Sequence, residues 1–165
     1  MRLLIPVLLF LAACSSTGRE AVVHPKDAEL IASFQSRKPD FEKLLELFRQ
    51  HPQLQEFTHQ GLAWKETRRD RASYEIPMPQ RTNYQQSVLR LHVGSVFRRA
   101  DGNIIFLVSE RSSFFNEGSA KGYEYSDDPL EPEVGLLDTV KLDCGDIFYR
   151  LLEGKWSLYL QSYCS

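Results

Sequence analysis

The spacing of apolar residues changes near Ser95, and this constrains the fold more than any single motif in the chain. Before it, apolar side chains recur every three or four residues, the period of a helix that buries one face. Within Asp27 to Gln50, Leu30, Phe34, Phe41, Leu44 and Phe48 keep that spacing with Arg37 as a polar gap, and Phe41, Leu44, Leu45 and Phe48 fit i, i+3, i+4, i+7. Pro39 removes a backbone donor and disfavours helical geometry at the residue before it. The segment is therefore expected to form two helices, or one sharply kinked helix, breaking near Lys38 and ending at His51-Pro52. Pro79 to His92 reads as a second helical region. Pro77 and Pro79 mark its start, Tyr84, Val88 and Leu91 line one face, and Gly94 fits a stop.

From Ser95 the pattern is that of strands. Val96 to Ala100 and Asn103 to Ser109 flank Asp101-Gly102, a two-residue hairpin signal that sets Val96 opposite Leu107 and Phe97 opposite Phe106. Ile104 to Val108 is apolar on both faces, as a central, covered strand should be. Arg111 to Ala120 reads as a polar loop and Lys121 to Ser126 as a strand. The last hairpin joins Ile147–Leu152 to Trp156–Tyr163 through Glu153-Gly154-Lys155. That register sets Leu152 opposite Trp156, Phe148 opposite Leu160 and Cys144 opposite Cys164. Between the helical regions only Leu62 and Trp64 hint at a short strand. Lys65, Arg68, Arg69 and Arg71, diluted by Glu66 and Asp70, read as a solvated loop more readily than as a patch for anionic lipid or an acidic partner. Helices first and strands after give an α+β class, with N-terminal helices packed on one face of an antiparallel sheet of about four or five strands.

Composition narrows the class. With 165 residues, 42% hydrophobic and 25% charged, the chain is neither disordered, collagenous nor a multi-span membrane protein. A formal charge of −2 offers no basic field for nucleic acid. Three cysteines are too few for a disulfide-dense scaffold.

The N-terminus carries its own signal. Met1-Arg2 precedes the apolar run Leu3 to Ala13, shorter than the roughly 20 residues that a membrane span needs and of the length found in secretory signals. The run ends in Leu11-Ala12-Ala13-Cys14, followed by Ser15-Ser16. This resembles the lipobox of bacterial lipoproteins. The resemblance implies a diacylglyceryl group on the Cys14 sulfur, cleavage after Ala13, and acylation of the freed amine. Residues 1–13 would then be a signal peptide, 14–26 a lipidated tether, and 27–165 a single globular domain. Two or three acyl chains anchor stably where one is marginal. Ser15 rather than Asp after the cysteine implies, by the same resemblance, the outer membrane with the domain facing the periplasm. Export to an oxidising compartment makes Cys144 and Cys164 an expected disulfide.

Familiar catalytic spellings are absent from the sequence: there is no G-x-S-x-G, S-x-x-K, phosphate loop, H-E-x-x-H or C-x-x-C. With Cys14 lipidated and Cys144 bridged to Cys164, no thiol nucleophile remains. His24, His51, His59 and His92 are scattered, and neither a metal nor a cofactor is expected. Asp143 with Asp146, or Glu110, could serve as carboxylates for glycan cleavage, but charge that protects a sheet edge is the simpler reading. Asp127, Asp128, Glu131 and Glu133 form an acidic loop without the ligand spacing or turn glycine of an EF-hand. Tyr149, Tyr159 and Tyr163 share one face of the last hairpin with Ile147 and Leu151, and Tyr123 and Tyr125 lie on the preceding strand. These tyrosines are a candidate binding surface for a protein or glycan, although core under the helices is the favoured reading.

The amphipathic start, the helix with Tyr84, the KGYEYS strand and the YRLLEGKWSLYL hairpin look like those of a group of uncharacterised small proteins exported by Gram-negative bacteria. The likeness implies no activity or site. The expected function is that of a lipid-anchored envelope protein with a non-catalytic binding or scaffold domain, acting in envelope assembly or as an immunity-type inhibitor. The alternative is an envelope enzyme that acts on cell-wall glycan or peptide through carboxylates. Expected partners are the membrane, through the acyl chains on Cys14, and an envelope protein, but not nucleic acid.

Overall fold

The computed structural model describes residues 24–64, 76–112 and 117–164. Cys14 with its surrounding signal, the tether up to residue 23, and the basic cluster of Lys65, Arg68, Arg69 and Arg71 lie outside the described residues.

Helix α1 spans Asp27–Gln50 and helix α2 spans Met78–Leu91. The apolar stripe of α1 is buried as its spacing predicts, through Leu30, Phe34, Phe41, Leu44, Leu45 and Phe48. Its one non-helical residue is Arg37 (φ −124°, ψ 16°), a residue earlier than the expected break. Pro39 cannot donate to the turn before it, and the chain relaxes there. Helix α2 stops sooner than Gly94. His92 takes the left-handed conformation (φ 55°), with His92 N donating to Leu89 O and Val93 N to Val88 O. These are the two bonds of a Schellman end, and Val93 packs in the same core cluster as Val88. Among the described residues no helix is long and apolar enough to cross a membrane.

The strands are β1 (Leu54–Thr58), β2 (Leu62–Trp64), β3 (Ser95–Arg98), β4 (Ile104–Ser112), β5 (Glu117–Tyr125), β6 (Ile147–Glu153) and β7 (Trp156–Cys164). They form one antiparallel sheet in the order β2-β1-β3-β4-β5-β7-β6. The α+β class holds, but the sheet has seven strands rather than four or five. The strand that sequence reasoning missed is β1. Only Leu54 and Phe57 are fully buried there, and the pairing shifts between Leu54 and Glu56, so no period of two is visible. Strand β4 is central, as its two-sided apolar run requires.

Two registers differ from expectation. The β3–β4 hairpin pairs Val96 with Phe106 and Phe97 with Ile105. Its turn is one residue longer than expected, with Arg99 N bonded to Asn103 O and Gly102 at φ +97°. A slip of one residue exchanges the faces of a strand. The observed register sets the buried Val96 and Phe106 side by side, whereas the shorter turn would have paired Val96 with the half-buried Leu107. The β6–β7 hairpin keeps Phe148 opposite Leu160, but an irregularity between Leu151 and Glu153 puts Glu153, not Leu152, opposite Trp156. The polar stretch from Arg111 to Ala120 is mostly strand, because β4 runs to Ser112 and β5 starts at Glu117.

The core is aromatic where α1 meets the sheet. Phe41 lies 5.3 Å from Phe106, 4.6 Å from Tyr123 and 5.6 Å from Trp156, ring centre to ring centre. Phe34 adds contacts to Tyr123 and Trp156. Helix α2 is tied to α1 at the kink, where Asp40 accepts from Arg90 Nε at 2.9 Å and from the buried Ser87 hydroxyl at 3.0 Å.

Candidate functional site

Strand alternation decides which side chains can meet. Along β5, Lys121, Tyr123 and Tyr125 point to one side and Glu124 to the other. Each side holds an ion cluster that the sequence reading did not assemble.

On the side of Tyr123, Lys121 is 2% exposed and Asp27 is fully buried. Lys121 Nζ lies 2.7 Å from Asp27 Oδ1 and 2.6 Å from Asp138 Oδ1. The first contact is ionic rather than a hydrogen bond, since Oδ1 of Asp27 has no aligned donor. Asp27 Oδ2 accepts from Arg150 Nη1 at 3.0 Å and from the Leu137 amide at 2.8 Å. The Asp27 amide, first in α1, donates to Asp138 Oδ2 at 3.0 Å, where the helix dipole favours negative charge. Burial alone would raise the Asp138 pKa, but Lys121 and the Asp27 amide outweigh it and hold the carboxyl below its ordinary value.

A cavity of about 350 Å³ opens beside this cluster. His24, Lys26, Arg111, Lys121 and Asp138 form its polar wall, and Val140, Leu142 and Leu160 its apolar one. His24 bridges two strands, with Nδ1 2.7 Å from the Ser109 hydroxyl and Nε2 2.8 Å from that of Ser119. Burial first, then the charges of Arg111 and Lys121, lower its pKa to about 4.

On the opposite side Glu124 is fully buried. Its Oε1 accepts from Asn103 Nδ2 at 2.7 Å and from Arg99 Nη1 at 3.2 Å, and Oε2 has no partner among the described residues. Arg99 also donates to the Tyr149 hydroxyl. Burial raises the Glu124 pKa, and Arg99 and Asn103 only partly oppose it.

The residues singled out from sequence scatter. Cys144 and Cys164 are bridged, with Cα atoms 5.7 Å apart. The tyrosines divide between two sides. Tyr123 is buried against α1, its hydroxyl donating to Leu30 O at 2.9 Å. Tyr125 is half-buried beside Trp156 and accepts from Arg49. Tyr149 and Tyr159 are buried together with Ile105 on the other side, and Tyr163 is half-buried. Asp143 and Asp146 close one turn on each other, Asp143 N donating to Asp146 Oδ2 at 2.8 Å. Glu110 accepts from the Tyr163 hydroxyl at 2.7 Å. In the acidic loop Asp127 pairs with Lys155 at 2.7 Å, and the loop then runs beside β6, where Tyr149 N donates to Pro132 O. Among the described residues no group of three or more His, Cys, Asp and Glu is placed to hold a metal ion.

Comparison with known protein families, curated proteins and solved structures finds no match to this chain.

Proposed function

We propose that this protein is a lipid-anchored lipoprotein of the bacterial outer membrane whose domain is a non-catalytic binding module facing the periplasm. The anchor rests on Leu11-Ala12-Ala13-Cys14 after an apolar run. The binding reading is carried by the state of the carboxylates that could have done chemistry. The Asp146 carboxylate accepts from the Asp143 amide, Glu110 is held by Tyr163, and Asp27 and Asp138 share Lys121. Carboxylates engaged in this way hold a fold together, whereas glycan cleavage needs two that face each other across open space.

The architecture supports the same reading. Helix α1 meets one side of the sheet: Phe34 and Phe41 touch Phe106, Tyr123 and Trp156, which alternate along their strands with Ile105, Glu124 and Ser157. The class of function is attachment of an envelope protein, either in assembly of the cell surface or as an immunity-type inhibitor.

One observation favours a second reading, an envelope enzyme acting on cell-wall glycan or peptide. Glu124 is buried with a raised pKa beside Arg99 and Tyr149, and perturbed carboxyls gather at active sites. The decisive measurement for the anchor is metabolic labelling. Cys14→Ser should leave an uncleaved precursor that takes up no radioactive palmitate, and a mutant processed and labelled as before removes the lipoprotein assignment. Affinity purification from solubilised envelopes should then retain a stoichiometric protein partner. Turnover of isolated cell wall that is lost in Glu124→Gln would favour the enzyme instead.

A further inference from the structure

The cavity beside α1 has a composition that its own ion pairs do not use up. Lys121 is neutralised by Asp27 and Asp138, and Asp27 also holds Arg150. Lys26 and Arg111 have no carboxylate partner among the described residues, and both line the cavity. Arg111 Nε is buried without a hydrogen-bond partner among those residues. A buried guanidinium nitrogen left unpaired costs free energy that a bound acceptor would recover. Among the described residues, the wall's cations Lys26, Arg111 and Lys121 outnumber its one carboxylate, Asp138, and the second carboxylate on Lys121, Asp27, also holds Arg150. Glu29, hydrogen-bonded to the Lys26 amide at 3.2 Å, is exposed and is not part of the wall. The facing wall of Val140, Leu142 and Leu160 is apolar, so the site has one charged end and one greasy end. Its volume of about 350 Å³ lies at the lower end of cavities that take small molecules.

We propose that this cavity binds an anionic amphiphile, a phosphate or carboxylate head between Lys26 and Arg111 with a short alkyl chain against Val140, Leu142 and Leu160. The inference deepens the binding-module reading and is independent of the lipid anchor. Each charged contact to the head is a charge-assisted hydrogen bond of the kind Arg and Lys make with such groups. His24 supplies a reporter inside the site. Its pKa is held down by burial and by the same cations, so an anion placed among them should raise it.

The test is an NMR titration of His24 in the soluble domain carrying its disulfide, with and without four probes below their micellar concentrations: octyl phosphate, octanoate, inorganic phosphate and octyl glucoside. Octyl phosphate or octanoate should bind and raise the His24 pKa from about 4, and the tighter of the two names the head group. Octyl glucoside should leave it unchanged. Inorganic phosphate should bind at least about tenfold more weakly, since it leaves the apolar wall uncovered. Lys26→Gln and Arg111→Gln should each weaken the octyl anion by about tenfold, while Lys155→Gln, on another surface, should not. Thermal melts of the variants separate lost binding from lost folding, and Lys26 is exposed, so its replacement leaves the fold intact. The proposal is overturned if neither octyl anion moves His24, if octyl glucoside moves it equally, if inorganic phosphate binds as tightly as the octyl anions, or if folded Lys26→Gln and Arg111→Gln bind as the parent does. Any of these results leaves palmitate labelling at Cys14 untouched, so the two readings fail separately.

Discussion

Glu124 shows how far a single residue can depart from its sequence context. In KGYEYS it alternates with Tyr123 and Tyr125, the pattern of a charge that faces water while its neighbours face the core. Instead both sides of β5 are covered, and Glu124 is buried with one oxygen lacking a partner. The clue was present one strand away: Ile104 to Val108 is apolar on both faces, so a polar residue beside that strand must be buried too and must find a cation. Arg99, in the adjoining turn, is that cation. The energetic consequence is testable. Because the folded pKa of Glu124 is raised, the folded state holds its proton more tightly than the unfolded chain does. Stability attributable to this group is present below the ordinary carboxyl pKa and is lost as pH rises through the raised value. Glu124→Gln should therefore match the parent in urea unfolding at low pH, gain on it as pH rises from the ordinary carboxyl pKa to the raised folded value, and keep that gain unchanged above it. A pH-independent difference between the two would remove the buried-carboxylate account.

At the scale of elements, the helices were legible and the turns were not. The stripe of α1 is long and has a clear period, so its buried face follows from spacing, and Pro39 marks its break to within a residue. A turn depends on one residue, and Asp101-Gly102 is compatible with loops of two lengths. Burial on the flanking strands chose the longer, which sets Val96 beside Phe106. Strand β1 was hidden because its bulge breaks the alternation. Two glycines of these elements illustrate different requirements. Gly102 has φ +97°, open to glycine and strained for other residues, so Gly102→Ala should cost about 1 kcal/mol. Gly122 is a different case, since a Cβ there would land on the Phe106 carbonyl oxygen and crowd the Tyr159 ring. The obstacle is backbone of the central strand and cannot swing aside. Gly122→Ala should cost about 2–4 kcal/mol, more than Gly102→Ala, in denaturant melts. Equal costs at the two positions would mean that β4 and β5 can part more easily than their pairing implies.

The whole molecule is closed by contacts between segments far apart in sequence. Strand β7 lies between β5 and β6, so β6 joins the sheet only through it. Likewise His24 bonds Ser109 and Ser119, and Asp27 bonds Leu137 and Arg150, contacts that span most of the described chain. Cys144–Cys164 fixes the C-terminal end of this arrangement, and its position follows from the hairpin register. The pairing that sets Phe148 opposite Leu160 continues past the strand, where Ser162 N donates to Asp146 O at 2.8 Å, and two residues further lie the cysteines. This was legible in the sequence because a regular ladder carries register over many residues; the irregularity between Leu151 and Glu153 lies between the turn and the cysteines, but the extra residue Leu152 restores from Leu151–Ser157 onward the register that a three-residue loop would set. The bridge closes a separation of 20 residues, which in the chain-entropy model stabilises the fold by about 3 kcal/mol. Reduction should lower the unfolding free energy by about that amount. Cys144→Ser, Cys164→Ser and the double replacement should each do the same, because the two sulfurs act as one unit. Mass spectrometry of the oxidised protein under non-reducing conditions should show one bond between them. Two free thiols, or a double variant much less stable than either single one, would remove the bridge from the account of how this sheet is closed.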